Sequence, residues 1–286
     1  MSVRDVDPRL TPNRGDIAAD RLKGRVQAER FLAGTAYQVT AGVAAIRRTP
    51  DDDGAMDDQA LHGEVFTVYE EVDGWGWGQS EADDYVGYVD MAALSAPVLP
   101  ASHRVTALRT YVFSEPDLKS APRFLISRAA QIVAGRAEGR FIEAQRAGWV
   151  FAGHLAALDA PPADDFVAVA ETFLHAPYLW GGKESLGLDC SGLVQTAFAA
   201  CGLACPRDAD LQEAVLGEAL SLSPRPALRR GDLVFWPGHV GLMVDGTQLL
   251  HANAHHMATA IEPLTQAEAR IGSQVGPIRA IKRLNP

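Results

Sequence analysis

The sequence predicts a multidomain chain in which two small all-β barrels precede an α+β domain. The first sign is a series of short β-rich runs, separated by turn residues, that begins near residue 37. The second sign is that the same order of runs recurs between about residues 105 and 158. The third is the proline-containing stretch at residues 159–163, after which helical patterns come first and strand patterns follow.

Composition and charge exclude several classes of partner. Of the 286 residues, 47% are hydrophobic and 22% charged, which is typical of a soluble globular protein. The formal net charge of −10 argues against nucleic acid and against a membrane surface as partners. The polar start of the chain lacks the apolar stretch of a secretory signal, and the three cysteines form no disulfide framework. We therefore expect a cytoplasmic protein.

Residues 1–35 are expected to form an irregular lead followed by a helix. Within residues 16–33, Ala18, Leu22 and Val26 recur at helical spacing, and Gly34 follows as a stop signal.

The first barrel is assigned to residues 36–98, with five or six strands. Its clearest feature is the pair of runs VFTVYEEV and WGWGQS, which Asp73-Gly74 joins as a hairpin. The second barrel, residues 99–160, follows from the repeat: VTALRTYVFSEPD resembles VTAGVAAIRRTPD. The middle of this second region is ambiguous, because part of it fits a helix as well as strands.

The last domain is assigned to residues 161–286. It opens with a predicted amphipathic helix, whose apolar face holds Phe166, Ala170, Phe173 and Leu174. A second, buried helix starts near Cys190 with Asp189 as its cap. The runs DLVFW and HVGLMV then predict two strands, and a turn at Asp245-Gly246 leads to the strand QLLHAN.

Cys190 is the candidate nucleophile. At a helix start its sulfur would face unpaired backbone N–H groups and the positive end of the helix dipole, which favour the thiolate. The alternative is a small apolar core residue, the usual role of a free cysteine. Cys201 and Cys205 have a spacing found in zinc sites, but no second pair follows, so we expect structural cysteines.

Two histidines decide between these readings of Cys190. His239 and His251 lie on either side of the predicted turn, so a tight hairpin makes them near cross-strand neighbours. This arrangement supplies a cysteine with a base, His239, and the base with an orienting partner, His251. A Cys-His-His zinc site is the other candidate, although we expect neither a metal nor a cofactor. His255 and His256 are expected to be solvated loop residues.

The motifs DCSGLVQTAF, GDLVFW-x₂-HVGLMV and LLHAN together resemble the NlpC family of papain-like cysteine peptidases, over residues 164–286. The upstream barrels resemble the SH3-like domains of that family's γ-D-glutamyl-diamino-acid endopeptidases, of the dipeptidyl-peptidase VI type. The resemblance implies that Cys190 is the nucleophile, His239 the base and His251 its orienter.

The resemblance also implies a substrate and residues that bind it. The substrate would be a murein tripeptide or tetrapeptide, L-Ala-γ-D-Glu-diamino acid, with a free amino terminus. Glu64 and, more weakly, Tyr85 in the first barrel would contribute to the amine end, and Arg207 would meet the D-Glu carboxylate. The implied substrate-binding set is Tyr178 near the oxyanion position, Asp189, Ser191, Glu64, Tyr85 and Arg207. One position departs from the family pattern, because Ala209 stands where serine is frequent.

The leading hypothesis is therefore a cysteine peptidase that cuts the γ-D-Glu–diamino-acid amide, in the recycling of peptidoglycan. Two alternatives stay open. The barrels could make the chain a wall-binding protein whose last domain is inactive or secondary. The last domain could also be an acyltransferase on the same scaffold.

Overall fold

The computed structural model describes residues 6–284 and divides the chain into two compact units, residues 1–160 and 161–286. The first unit is built almost entirely from short strands, and the second combines helices with an antiparallel sheet. In residues 6–284, no helix is both long enough and apolar enough to cross a bilayer.

The segment that follows the lead is not a helix, and the prediction for residues 16–33 is wrong. It forms two short parallel strands, β1 (Ile17–Ala19) and β2 (Arg30–Leu32), with a single 3₁₀ turn after β1. All three residues of β1 are buried, so the apolar positions follow no helical stripe. They pack against Tyr69 and Trp77, and this tertiary contact outweighs the helical spacing of the sequence.

The first β region is a seven-stranded sheet in the order β5-β4-β8-β7-β6-β3-β9. Its strands are β3 (Thr35–Val39), β4 (Val43–Arg47), β5 (Met56–Leu61), β6 (Val65–Val72), β7 (Trp75–Ser80), β8 (Val86–Asp90) and β9 (Leu94–Ser95). The predicted hairpin is confirmed, since β6 and β7 pair in antiparallel register with Val72 opposite Trp75. Asp73 and Gly74 both have positive φ, as a tight two-residue hairpin turn requires. Its core includes Ile46, Phe66 and Val89.

The second β region has its own sheets, and its core also includes Leu61 of β5. Its strands are β10 (His103–Val105), β11 (Arg109–Phe113), β12 (Pro122–Ser127), β13 (Gln131–Ile132), β14 (Ala134–Glu138), β15 (Phe141–Ala144), β16 (Gly148–Phe151) and β17 (Leu155–Ala157). They form a five-stranded sheet, β12-β11-β16-β15-β14, and a three-stranded one, β13-β10-β17. The ambiguous middle therefore forms strands joined by turns, and it contains no helix. Val112, Ile126 and Val150 lie at the centre of the core. That this region is a second SH3-like barrel stays a prediction.

The second unit opens with helices. Its helices are α1 (Phe166–Glu171), α2 (Cys190–Ala200), α3 (Ala209–Val215) and α4 (Leu264–Val275). Asp165 caps α1 by accepting hydrogen bonds from the backbone N–H groups of Val167 and Ala168. The helix is shorter than expected and ends before Leu174, which is exposed, because the chain turns through a positive φ at His175.

The sheet of the second unit has six strands in the order β20-β25-β21-β22-β23-β24. The strands of this unit are β18 (Lys183–Glu184), β19 (Gly187–Leu188), β20 (Glu218–Ala219), β21 (Leu233–Trp236), β22 (His239–Met243), β23 (Gln248–Asn253), β24 (Ala258–Pro263) and β25 (Ala280–Arg283). The predicted turn is confirmed, since Asp245 accepts hydrogen bonds from the N–H groups of Thr247 and Gln248 between β22 and β23.

Helix α4 was not predicted, and it covers one side of this sheet. Leu264, Ala267 and Ile271 on α4 pack into one cluster with Val234 and Leu249 of the sheet. Helix α2 packs against β22 and β23. The two helices thus fix the strands that carry His239 and His251.

Candidate active site

Cys190 is the first residue of α2, where the sequence places it. The Asp189 side chain caps the helix by accepting a hydrogen bond from the Gly192 N–H at 2.8 Å. Gly192 is required by a close approach, because a Cβ there would lie 2.1 Å from the Gly182 carbonyl oxygen. The helix start is therefore held tightly against the loop that precedes it.

A buried ion pair stabilises this helix start. The Arg207 guanidinium donates to both carboxylate oxygens of Asp189, at 3.0 and 2.7 Å, and to the Ser191 hydroxyl at 2.9 Å. Arg207 is 0% exposed and Asp189 6% exposed. Helix α3 is also hydrogen-bonded to the start of α2, because the Gln212 amide donates to the carbonyls of Ser191 and Pro206. In this structure, the predicted substrate-binding residues Asp189, Ser191 and Arg207 form one network with each other.

The Cys190 thiol lies in a dry environment. Its side chain is buried, and the Val240 backbone N–H hydrogen-bonds the sulfur, which places Cys190 beside the first residues of β22. Burial, with Asp189 adding to it, raises the pKa of the thiol to about 12. The sequence analysis expected the opposite direction. The backbone N–H groups of Val240 and Ser191 do favour the thiolate, but desolvation is the larger effect.

His239 and His251 are brought together as predicted. His239 Nε2 and His251 Nδ1 lie 2.8 Å apart, in a hydrogen bond across the β22–β23 pair. Gly241 lies two residues after His239 in β22, and a Cβ there would be 2.8 Å from the Leu249 side chain and 3.2 Å from the His251 Cβ. The absence of a side chain at position 241 therefore makes room for the contact between the two imidazoles.

Both imidazoles are held in the neutral form. Burial, helped by the nearby His251, lowers the pKa of His239 to about 3. Burial also lowers the pKa of His251, although its hydrogen bond to Glu262 opposes the shift. A neutral imidazole has a lone pair that can accept a proton, so the histidines rest in the form that a general base needs.

Glu262 and Arg270 extend the chain of contacts and were not predicted. His251 Nε2 lies 2.8 Å from Glu262 Oε1, and Arg270 contacts both oxygens of that carboxylate, one at 2.8 Å. Glu262 reaches this position because β24 pairs with β23, with Leu249 opposite Glu262. The sequence offers only a weak signal for it, one acid in an otherwise apolar strand.

Tyr178 lies beside the nucleophile. Burial raises the pKa of its phenol above its usual value, and the neighbouring Cys190 adds to the shift. The tyrosine therefore stays protonated and able to donate a hydrogen bond. Leu179 and Trp180, which follow it in the chain, are exposed.

The two predicted residues of the first barrel belong to the other unit. Glu64 is half-buried, and its carboxylate accepts a hydrogen bond from the Leu61 N–H at 2.9 Å. Tyr85 is 5% exposed and packs in the core of the first β region, the location expected of a strand aromatic. Their roles in substrate binding stay predictions.

Among residues 6–284, one group of potential metal ligands stands out. The ligand atoms of His251, His256 and Glu262 lie within 4.8 Å of one another. This set differs from the Cys-His-His site considered above, because it contains neither Cys190 nor His239. Arg270 already donates to both Glu262 oxygens, and its positive charge opposes a cation there. Cys201 and Cys205 are half-buried free thiols.

The fold and the site define a class: an α+β domain with a cysteine at a helix start and two histidines on adjacent strands. Residues 175–269 match the model of the NlpC/P60 family. Residues 46–94 match that of the bacterial dipeptidyl-peptidase SH3 domain. The second unit thus contains an NlpC/P60 domain of the kind found in cysteine peptidases, and the first β region contains an SH3 domain of the dipeptidyl-peptidase type.

Similar curated proteins are named as dipeptidyl-peptidases. The chain is 37% identical to dipeptidyl-peptidase 6 of Lysinibacillus sphaericus over 90 residues, which are 32% of each chain. It is 36% identical to the γ-D-glutamyl-L-lysine dipeptidyl-peptidase of Bacillus subtilis over 112 residues, 36% of each chain. The match thus spans about a third of the length of these relatives.

A solved structure supports the fold over most of the chain. It is an NlpC/P60 family protein from Bacillus cereus, with a TM-score of 0.74 at 18% identity. The similarity covers 88% of this chain and 100% of that one, so the arrangement of elements extends well beyond the peptidase domain.

Proposed function

We propose that this protein is a cysteine peptidase that hydrolyses the γ-D-Glu–diamino-acid amide of murein peptides. The observation that carries the proposal is the hydrogen-bonded pair His239–His251 on the strands against which the Cys190 helix packs. The names of the relatives, which include a γ-D-glutamyl-L-lysine dipeptidyl-peptidase, support the substrate class.

In the proposed mechanism, Cys190 attacks the amide carbonyl while His239 takes the thiol proton. The resting pair is neutral, so the proton moves as the sulfur–carbon bond forms, and a persistent thiolate is not needed. The imidazolium then gives its proton to the leaving amine of the diamino acid. Water, activated by the same histidine, hydrolyses the thioester and restores the thiol.

Two donors are suited to the oxyanion that forms in each step. The Cys190 N–H is at the helix start, where it has no partner within the helix, and the helix dipole favours negative charge there. The protonated Tyr178 phenol is the second donor we propose. Donors of this kind are worth on the order of 10²–10³ in kcat when they are aimed at the oxyanion.

We further propose that the substrate carries a free amino-terminal L-Ala and that Glu64 contributes to recognising its ammonium. Asp189 is less suited to that task than the sequence suggests, because Arg207 already balances its charge in a bidentate pair. Arg207 and Ser191 are proposed to act on the D-Glu end of the peptide through the same network. Tyr85 is the weakest of these assignments, since it packs in the core of its own region.

Incubation with three substrates tests the proposal: L-Ala-γ-D-Glu-diaminopimelate, its N-acetylated form and intact sacculi. We expect release of the dipeptide L-Ala-D-Glu from the free tripeptide, and little release from the other two. Cleavage of released peptides in preference to intact wall would support a role in recycling, in the cytoplasm. The variant Cys190→Ala should be inactive, and Cys201→Ala is the matched control.

Addition of a chelator separates this mechanism from metal catalysis. We expect unchanged turnover after treatment with EDTA and dialysis. Loss of activity that zinc restores would contradict the role given to Cys190. Binding to sacculi without hydrolysis of any of the three substrates would instead support the wall-binding alternative.

A further inference from the structure

We propose that Glu262, held by Arg270, is a positioning residue that fixes the tautomer of His251 and so leaves His239 Nδ1 as the basic atom of the site. This inference rests on the proposed function in assuming that His239 acts as a base. It adds a residue from β24 and one from α4 to an arrangement otherwise built from α2, β22 and β23.

The geometry forms an unbroken line of polar contacts. His239 Nε2 lies 2.8 Å from His251 Nδ1, and His251 Nε2 lies 2.8 Å from Glu262 Oε1. Arg270 closes the line with a two-pronged contact to the Glu262 carboxylate. His251 is 0% exposed and Glu262 6% exposed. Solvent therefore has little access to His251 and Glu262. The position of each proton depends on the hydrogen-bond partners within the protein.

The protons of the two histidines can be assigned starting from Glu262, because its carboxylate has only one possible hydrogen-bonding role. A carboxylate can only accept, so His251 Nε2 must carry a proton and donate it. Burial disfavours the charged carboxylate, but the hydrogen bonds from Arg270 and His251 hold the pKa of Glu262 well below its usual range. The group is thus an acceptor at every pH at which the protein is expected to work.

The remaining assignments follow from the count of protons. A neutral imidazole has one N–H, so His251 Nδ1 is an acceptor once Nε2 donates to Glu262. His239 Nε2 must then donate to His251, and the lone pair of His239 is at Nδ1. The opposite tautomer of His251 would donate to His239 but would place the Nε2 lone pair against the Glu262 carboxylate, where no hydrogen bond can form. In a buried site, such unmade hydrogen bonds are costly.

The catalytic step leaves this line unchanged. The S–H bond of Cys190 breaks, its proton goes to His239 Nδ1 and the sulfur electron pair forms the new bond to carbon. His239 is then an imidazolium that still donates from Nε2 to His251 Nδ1. No proton reaches Glu262, whose charge Arg270 largely balances. Glu262 therefore orients the base and does not relay protons.

The test compares Glu262→Gln with the wild type in the full-length protein. An amide is about the size of a carboxylate, but it can donate as well as accept, so it no longer dictates the tautomer of His251. Glu268→Gln is the matched control, because Glu268 is on the same helix as Arg270 and forms a two-pronged ion pair with Arg225 at the surface. The carboxylate of Glu268 is thus engaged with Arg225 and with neither active-site histidine.

The first readout is the ¹⁵N NMR shift of His251, which needs neither substrate nor activity. We expect the Nε2–H tautomer in the wild type and in Glu268→Gln, and a substantial Nδ1–H population in Glu262→Gln. If the wild type itself shows the Nδ1–H tautomer at His251, the inference is overturned without any variant. This measurement decides the question even if no murein peptide is cleaved or if Glu262→Gln does not fold.

The second readout is the pH profile of turnover with the free tripeptide. We expect Glu262→Gln to lower kcat by on the order of 10- to 100-fold, the usual effect of losing such a supporting partner, with KM little changed. The charged or titratable groups around His251 are His239, His256, Arg270 and Glu262. The acid limb of the profile should also shift, because Glu262→Gln removes the one negative charge from this group. An unchanged kcat and profile in Glu262→Gln would overturn the inference.

Discussion

At the residue scale, the site combines a thiol and an imidazole that are both stabilised in their neutral forms. Burial raises the pKa of Cys190 to about 12 and lowers that of His239 to about 3. The two shifts act in the same direction, toward a neutral pair. The reactivity of Cys190 should therefore depend on a base that accepts the thiol proton more than on the helix dipole.

Alkylation with iodoacetamide tests this dependence. His239→Asn should slow labelling of Cys190 at neutral pH by at least about tenfold, because the thiol loses the group that accepts its proton. Labelling of Cys201 and Cys205, which are half-buried and distant in sequence from His239, should be unchanged. Mass spectrometry of peptic peptides over time gives all three rates in one sample. Equal rates for Cys190 in both proteins would contradict the role of His239 as base.

His239 also predicts how stability depends on pH. Its pKa is about 3 in the folded protein against an ordinary value of 6.5, so between these pH values the unfolded chain binds the proton and the folded one does not. The free energy of unfolding should therefore fall as the pH drops from about 6.5 toward 3. The contribution of a single group has a slope of up to about 1.4 kcal/mol per pH unit.

The measurement is urea unfolding at pH 7 and pH 4.5 for the wild type and His239→Asn. The variant should lose less stability on acidification, since it lacks one group that gains a proton on unfolding. His62, whose pKa is lowered in the same direction and which belongs to the first unit, remains in both proteins and cancels in the comparison. A larger acid loss in the variant would show that the sign is wrong.

At the element scale, the approach of β22 to β23 depends on Gly241. In Gly241→Ala, the new methyl group would meet the Leu249 side chain and the His251 Cβ, so the two strands or the two imidazoles must shift. We expect kcat to fall by at least about tenfold, since small displacements of positioned groups are costly. The control is Gly272→Ala on α4, where a Cβ meets nothing within 4 Å.

Gly272→Ala should keep full activity and raise the free energy of unfolding by up to about 1 kcal/mol, because alanine is the better helix former. Steady-state kinetics and urea unfolding of both variants are sufficient. Full activity in Gly241→Ala would mean that the contact between the histidines tolerates a wider strand spacing.

The start of α2 depends on the buried pair Asp189–Arg207. Arg207→Met should cost about 3–5 kcal/mol of unfolding free energy, because it leaves the Asp189 carboxylate buried without its counter-charge. Arg230→Met is the matched control: Arg230 also contacts two acids, Asp165 and Glu171, but at the surface. Its loss should cost no more than about 1 kcal/mol. Similar costs for the two arginines would contradict the stabilising role given to Arg207.

At the scale of the whole molecule, recognition of the substrate amine is the function proposed for the first β region. Glu64→Gln should lower kcat/KM for the free tripeptide by roughly ten- to a hundredfold, the value of one charge-assisted hydrogen bond. N-acetylation of the substrate should lower wild-type turnover at least as much, and the variant should discriminate less between the two peptides.

Glu71→Gln is the control for this experiment, because Glu71 is an exposed acid of the same region. It should behave as the wild type with both peptides at constant salt. If the wild type cleaves free and acetylated peptides equally well, the protein does not recognise the amine, and the function of the first region lies elsewhere.

The sequence predicted the structure correctly where the residues of a single helix end, hairpin or turn determine it. The Asp73-Gly74 hairpin, the cap at Asp189 and the turn that brings His239 to His251 were all predicted. Each depends on residues close together in the chain. The prediction failed for residues 16–33, where burial against Tyr69 and Trp77 outweighs a short helical spacing.

By itself, the sequence determined the order of the domains, the candidate nucleophile and the two histidines that accompany it. The tertiary structure alone decided that Arg207 is buried against Asp189 and that Glu262 and Arg270 continue the line of contacts from His251. It also decided that burial, and not the helix dipole, sets the pKa of Cys190. The reason is physical: strand register, helix docking and desolvation depend on residues distant in sequence, and a local pattern contains no information about them.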